Sequence, residues 1–96
     1  MKQLQLLFGS EVMLEDERIM KLEYSLTENL LEEDQKTSYY GVRVTKHLDE
    51  LTESDEVTGI SDSKDFVISI IKKLCLFEVT PISMVEIVDE LVTQGM

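Results

Sequence analysis

The chain carries one histidine and one cysteine, so chemistry beyond hydrogen bonding has to be built around those two side chains or around carboxylates. His47 is followed by Asp49 and Glu50, a spacing that would bring an imidazole and two carboxylates together for proton transfer or metal ligation. Such work needs the groups held in fixed geometry, and here they stand where a strand gives way to an acidic run. The expectation is a solvated loop rather than a site. The run itself, "DELTESDE" from Asp49 to Glu56, fails the calcium-loop pattern, which requires glycine at the sixth position and glutamate at the twelfth. Cys75 lies in an apolar stretch, away from a helix start where a thiolate would be stabilised, and reads as a core thiol. Tyr39 and Tyr40 are neighbours on a strand and so face opposite ways. Tyr40 is expected in the core, and Tyr39 half-exposed where it can touch a ligand. There is no phosphate-cradling glycine loop, no serine elbow and no paired-cysteine knuckle. The sequence therefore predicts no catalytic residues, no cofactor and no resident metal: not an enzyme.

The elements that position these residues follow from hydropathy period. Met20, Leu22, Tyr24 and Leu26 alternate with Lys21, Glu23, Ser25 and Thr27, which predicts a strand with one buried face. After an acidic turn expected over residues 29–36, Tyr40, Val42 and Val44 alternate with Tyr39, Gly41, Arg43 and Thr45, completing an antiparallel hairpin. Five acids in eight positions make Asp49 to Glu56 an expected solvated hairpin loop, and residues 56–60 a short third strand. Before Met20, Leu4, Leu6 and Phe8 alternate like a short strand, while Gly9-Ser10 breaks the pattern and opens a helical turn as the other reading. Residues 1–19 are thus an N-terminal extension or short strand, and residues 20–95 a single small domain.

Ser61, Asp62 or Ser63 is placed to cap a first helix. On that helix Phe66, Val67, Ile68, Ile70, Ile71, Leu74, Cys75 and Phe77 fall on an apolar arc of about 200°, wider than a helix packed on one side needs. It must meet both the sheet and the second helix, or another chain. Thr80-Pro81 stops it and starts the next, with a hydroxyl N-cap and proline at the first helical position. On the second helix Met84, Val85, Ile87, Val88, Leu91 and Val92 share one face, and Gly95 is a natural terminator. Ser83, Glu86, Asp89 and Glu90 share the other face. With Tyr39 they form the candidate interaction face.

Ninety-six residues suffice for one domain. Twenty acids against nine bases give a formal charge of −11, which repels phosphate backbones and anionic membranes. The two-helix arrangement is not a DNA-reading motif, because its second helix offers Glu86, Asp89 and Glu90 where Arg, Lys, Asn or Gln are needed. A lone cysteine points to a reducing compartment, and the N-terminus lacks a signal-peptide core. A cytoplasmic protein with no direct nucleic-acid or membrane partner is expected.

The motifs "YYGVRV" (Tyr39 to Val44), "GISDSKD" (Gly59 to Asp65) and "VTPISMVEIVDELV" (Val79 to Val92) resemble an uncharacterised family of small bacterial proteins, a domain of unknown function. Its members share a Tyr-Gly strand, a Ser-Asp entry to the first helix and a Thr-Pro or Ser-Pro entry to the last. The resemblance covers about residues 20–93 and implies an architecture without an activity. A histidine often follows the Pro-Ile pair in that family, and Ser83 stands there in this chain.

The expected fold is α+β: a two- or three-stranded antiparallel sheet followed by two C-terminal helices packed on one face. The expected function is a non-enzymatic protein–protein interaction or regulatory module, with an unknown protein or a second copy of the chain as partner (a homodimer). The alternatives are an acidic nucleic-acid mimic that binds a basic DNA-binding protein, and a small-ligand or metal-binding protein.

Overall fold

The alternation from Met20 to Leu26 builds the second strand of a larger sheet than the hydropathy pattern implies. The computed structural model describes residues 2–30 and 38–94. Four strands, β1 (Lys2–Met13), β2 (Ile19–Leu30), β3 (Ser38–Leu48) and β4 (Leu51–Ser61), form one antiparallel sheet in the order β1-β2-β3-β4, and α1 (Lys64–Leu76) and α2 (Pro81–Gln94) follow. The fold is α+β, with four strands in place of the expected two or three. Asn29 and Leu30, expected in a turn, end β2 paired with Tyr39 and Ser38. The rest of that turn, and Gly95, lie outside the described residues.

Both added stretches have a physical reason for escaping the pattern. β1 pairs with β2 from Lys2↔Asn29 to Met13↔Ile19, but the register shifts between Leu6 and Phe8. Leu6 stands opposite Ser25 and Phe8 opposite Tyr24, so the bulge at Leu7 moves the inward set by one residue. Leu4 and Leu6 consequently face away from the helices, 53% and 57% exposed, while Leu7, Phe8 and Val12 pack on the core. Gly9-Ser10 neither breaks the strand nor starts a helical turn; the two residues pair with Glu23 and Leu22. β4 takes in the acidic run expected to be a loop, and only Asp49-Glu50 form the turn before it. An edge strand accommodates such a composition, because its backbone pairs along one side while its carboxylates reach water. Glu53 lies 3.5 Å from Lys46 and Glu56 3.6 Å from Arg43 across the β3–β4 pair.

The third short strand expected over 56–60 is where β4 bulges. Tyr40 pairs with Ser61 but Val42 with Val57, so Thr58–Ile60 loop out opposite Gly41. A Cβ at Gly41 would lie 2.1 Å from the Val57 carbonyl oxygen and 2.7 Å from Thr58 Cα, too close for any side chain. Glycine here is a matter of space.

Leu22, Tyr24, Leu26, Val42 and Val44 present the buried face of the sheet. Against it α1 buries Val67, Ile70, Ile71 and Leu74, and α2 buries Pro81, Met84 and Val88. α1 touches all four strands and α2, which accounts for its wide apolar arc within one chain. Ser63 caps α1, its Oγ accepting from the Phe66 N–H at 3.3 Å. The helix ends through Glu78 in the left-handed region, φ 52°. The Glu78 N–H donates to the Cys75 carbonyl and the Val79 N–H to the Leu74 carbonyl at 3.1 and 3.0 Å. This is a Schellman closure, with Val79 buried beside Leu74. The stop therefore precedes Pro81 and does not need it. Phe77, expected on the apolar arc, caps the helix and is 67% exposed because the chain leaves helical geometry there. At the start of α2 the Thr80 carbonyl, not the expected hydroxyl, accepts from the Ser83 N–H at 3.2 Å. Between the helices the buried Tyr24 hydroxyl donates to the Val79 carbonyl at 3.0 Å.

Gly41→Ala is expected to lower unfolding free energy by about 2–3 kcal/mol, since backbone atoms rather than a flexible side chain must move. Gly9→Ala, whose Cβ would meet only the Leu22 carbonyl oxygen at an ordinary 3.7 Å, serves as the control and leaves the melting temperature nearly unchanged. Tyr24→Phe strands the Val79 carbonyl and costs about 1–2 kcal/mol in denaturant unfolding at neutral pH. The Tyr24 phenol is held well above its ordinary value of 10.0, first by burial and then by negative charge at Cys75 and Glu78. Below about pH 10 both states keep the proton; above it the unfolded chain releases its proton first, so stability falls as pH rises. That alkaline decline is expected to be shallower in Tyr24→Phe than in the wild type.

Candidate functional site

The second helix turns its polar residues outward as its period requires. Ser83, Glu86, Asp89 and Glu90 are all exposed, while Met84 and Val88 are buried on the opposite side. α2 packs mainly on β4 and crosses its bulge, where Val88, Asp89, Val92 and Thr93 line a shallow groove with Val57–Ile60. Asp55 stands opposite the core residue Val44, and Glu53 opposite Lys46, so both acids lie on the helix-bearing side of the sheet edge. Acids some thirty residues apart in sequence thus share one side of the molecule.

Tyr39 does not join them. It is half-buried and alternates with the core-facing Tyr40 and Val42, which puts it on the helix-free face. Tyr40 packs against the core as expected. The structure therefore groups four of the five candidate residues and separates the fifth.

His47 and Asp49, neighbours at the strand end where a solvated loop is expected, each pair with other residues. His47 Nε2 lies 2.5 Å from Glu23 Oε1 on the neighbouring strand, and Nδ1 lies 3.3 Å from Thr52 Oγ1. Asp49 turns away to Arg18, whose guanidinium reaches it at 2.7 Å and Asp16 at 2.6 Å. Hydrogen bonds to Asp49 and Asp16 hold the Arg18 pKa above its ordinary value, and hydrogen bonds from Arg18 hold the Asp16 carboxyl below its own. Arg18 thereby ties the β1–β2 turn to the β3–β4 turn. Sequence reasoning missed this pair, because the partners come together only through the β2–β3 register, which sets Met20 opposite Leu48. Among the described residues, no three His, Cys, Asp or Glu side chains are grouped to hold a metal ion.

Cys75 sits partly buried against the core. Burial pushes its thiol pKa up, and the Glu78 carboxylate adds to that effect, the reverse of what a nucleophile needs. Labelling of Cys75 by a thiol reagent near neutral pH is expected to be several-fold slower in the folded chain than in denaturant; equal rates would show a reactive thiol.

No helix among the described residues is long and apolar enough to cross a membrane. No curated protein and no solved structure matches the chain. A family model described as a family of unknown function, DUF6514, matches residues 3–94, so the relationship reaches through β1 as well as the strands and helices that carry the Tyr-Gly and Thr-Pro motifs. On that match, spanning nearly the whole chain, the protein belongs to the DUF6514 family.

Proposed function

We propose that this chain is a non-enzymatic interaction module of the cytoplasm, whose working surface is the outer face of α2 together with the helix-bearing edge of β4. The observation that carries this reading is the placement of Glu86, Asp89 and Glu90, fully on the solvent side of α2, beside a strand that itself carries Glu53 and Asp55. Carboxylates so arranged produce a negative field over one side of the molecule, which accelerates encounter with basic surfaces and repels acidic ones. Catalysis has no support from the polar clusters: His47 is engaged by Glu23 and Thr52, and burial raises the pKa of the Cys75 thiol, against the thiolate a nucleophile needs. The partner chemistry that matches is a basic protein surface, which includes the groove of a protein that otherwise holds nucleic acid.

The test is a paired capture from native lysate, using wild-type chain and a Glu86→Lys/Asp89→Lys/Glu90→Lys variant as baits. A basic protein retained by the wild type at low salt, released as salt rises and absent from the variant, is the expected result, because exposed charge pairing is screened within about 10 Å at 0.1 M salt. The same proteins on both baits would remove the proposal. Since the three positions are exposed, the variant is expected to melt within about 0.5 kcal/mol of the wild type.

A further inference from the structure

The helix layer ends in a corner whose apolar side chains the core does not use. Leu76 closes α1, Phe77 caps it and Ile82 stands in the first turn of α2; they are 76%, 67% and 82% exposed. Single exposed apolar residues are ordinary, but three gathered at one corner mark a contact surface. Charge frames the corner on both sides. One turn before Leu76 stands Lys72, in the chain's only run of adjacent basic residues, and one turn after Ile82 stands Glu86. Both are exposed, and among the described residues neither is in an ion pair. We infer that the outer face of the two helices docks on the same face of a second copy, α1 of each lying over α2 of the other about a two-fold axis parallel to the helices.

The chain's own geometry sets the register. α1 starts just after β4 and ends at the Tyr24 anchor, whereas α2 starts at that anchor and ends against residues 57–60 of β4. The helices therefore run side by side in opposite senses, and residues equally far from Val79 lie level. Asp65, Ser69, Lys72 and Leu76 are exposed along the outer side of α1, and Ile82, Glu86, Asp89 and Thr93 along that of α2. A two-fold axis parallel to the helices keeps each level and exchanges the helices. Leu76 then meets Ile82 of the other copy, Lys72 meets Glu86, Ser69 meets Asp89 and Asp65 meets Thr93, each twice per dimer. No carboxylate stands against another. An axis across the helices would instead lay α2 over α2 and, in full overlap, set Glu86 against Asp89. Charge complementarity thus selects the first arrangement. It also favours a second copy over an anionic bilayer, which would attract Lys72 but repel Glu86 and Glu78 beside the same apolar residues. The inference goes beyond the reading of α2 as a surface for a basic partner. It engages Glu86 and Asp89 and leaves Glu90, Glu53 and Asp55 outside the contact; were the dimer absent, all five would stay free for that partner, so the two readings fail separately.

Sedimentation equilibrium on the full chain is expected to show a monomer–dimer equilibrium. Leu76→Gln/Ile82→Gln, at exposed positions, abolishes the dimer while circular dichroism stays native. Lys72→Glu weakens it by roughly tenfold, as two opposite-charge pairs become like-charge pairs, and Lys72→Glu/Glu86→Lys restores it. A monomer at every soluble concentration overturns the proposal. So does a dimer that either of the first two variants leaves unchanged or that the charge swap fails to rescue. A monomer that sediments with phosphatidylserine vesicles, and no longer does so as Leu76→Gln/Ile82→Gln, assigns the corner to a bilayer and overturns the proposal as well.

Discussion

A carbonyl that neither helix can satisfy organises this molecule. Val79 lies between the end of α1 and the start of α2, and its N–H is used in closing α1. Its carbonyl points into the core, where an unmet acceptor costs about 1–3 kcal/mol. Tyr24, at the middle of β2 and fully buried, supplies the donor. One hydrogen bond thereby fixes where the interhelical corner sits on the sheet. From that corner α1 reaches back over all four strands and α2 runs out toward β4. The same burial that makes the bond strong keeps the phenol neutral, so anchor and alkaline sensitivity have one cause.

What the sequence made legible was whatever depends on period and caps. Leu22, Tyr24 and Leu26, Val42 and Val44, and the inward sets of both helices reach the core as their spacing requires, apart from Phe77 past the end of α1 and Val85, which at the margin of the α2 face is 41% exposed. What it hid was whatever depends on a break in period. Leu4, Leu6 and Phe8 look like one face, but the bulge at Leu7 divides them between two. β4 reads as a loop because an edge strand need not bury its side chains, and five acids in eight positions outweigh the backbone pairing that hydropathy cannot register. The stop of α1 was legible in place but not in cause. A left-handed Glu78 ends the helix before Pro81 is reached, and glutamate gives no signal for that conformation as glycine would.

The polar clusters divide along the same line. The outer face of α2 could be read from the sequence because helical neighbours three and four apart share a side. His47–Glu23 and Arg18–Asp49 could not, since each joins strands whose register is set by tertiary pairing. Proximity in sequence makes His47, Asp49 and Glu50 neighbours at a strand end and nothing more. Proximity across the sheet pairs His47 with Glu23 and Thr52, with Asp49 drawn off by Arg18.

A sheet covered on one face leaves two edges and one open face to water, and a chain of charge −11 must distribute its acids among them. Acids on the open face would stand opposite one another across strands about 5 Å apart, where like charges destabilise the ladder. That face instead alternates its acids with Lys21, Arg43, His47 and small residues, and Ser25 is buried between Leu6 and Arg43. The surplus goes to β4, which has a neighbour on one side only, and to α2, whose outer face has none among the described residues. Segregating charge in this way lets so acidic a chain keep a regular sheet, and it also makes the two edges chemically different. One edge is lined by carboxylates, and the other, among the described residues, carries few charges.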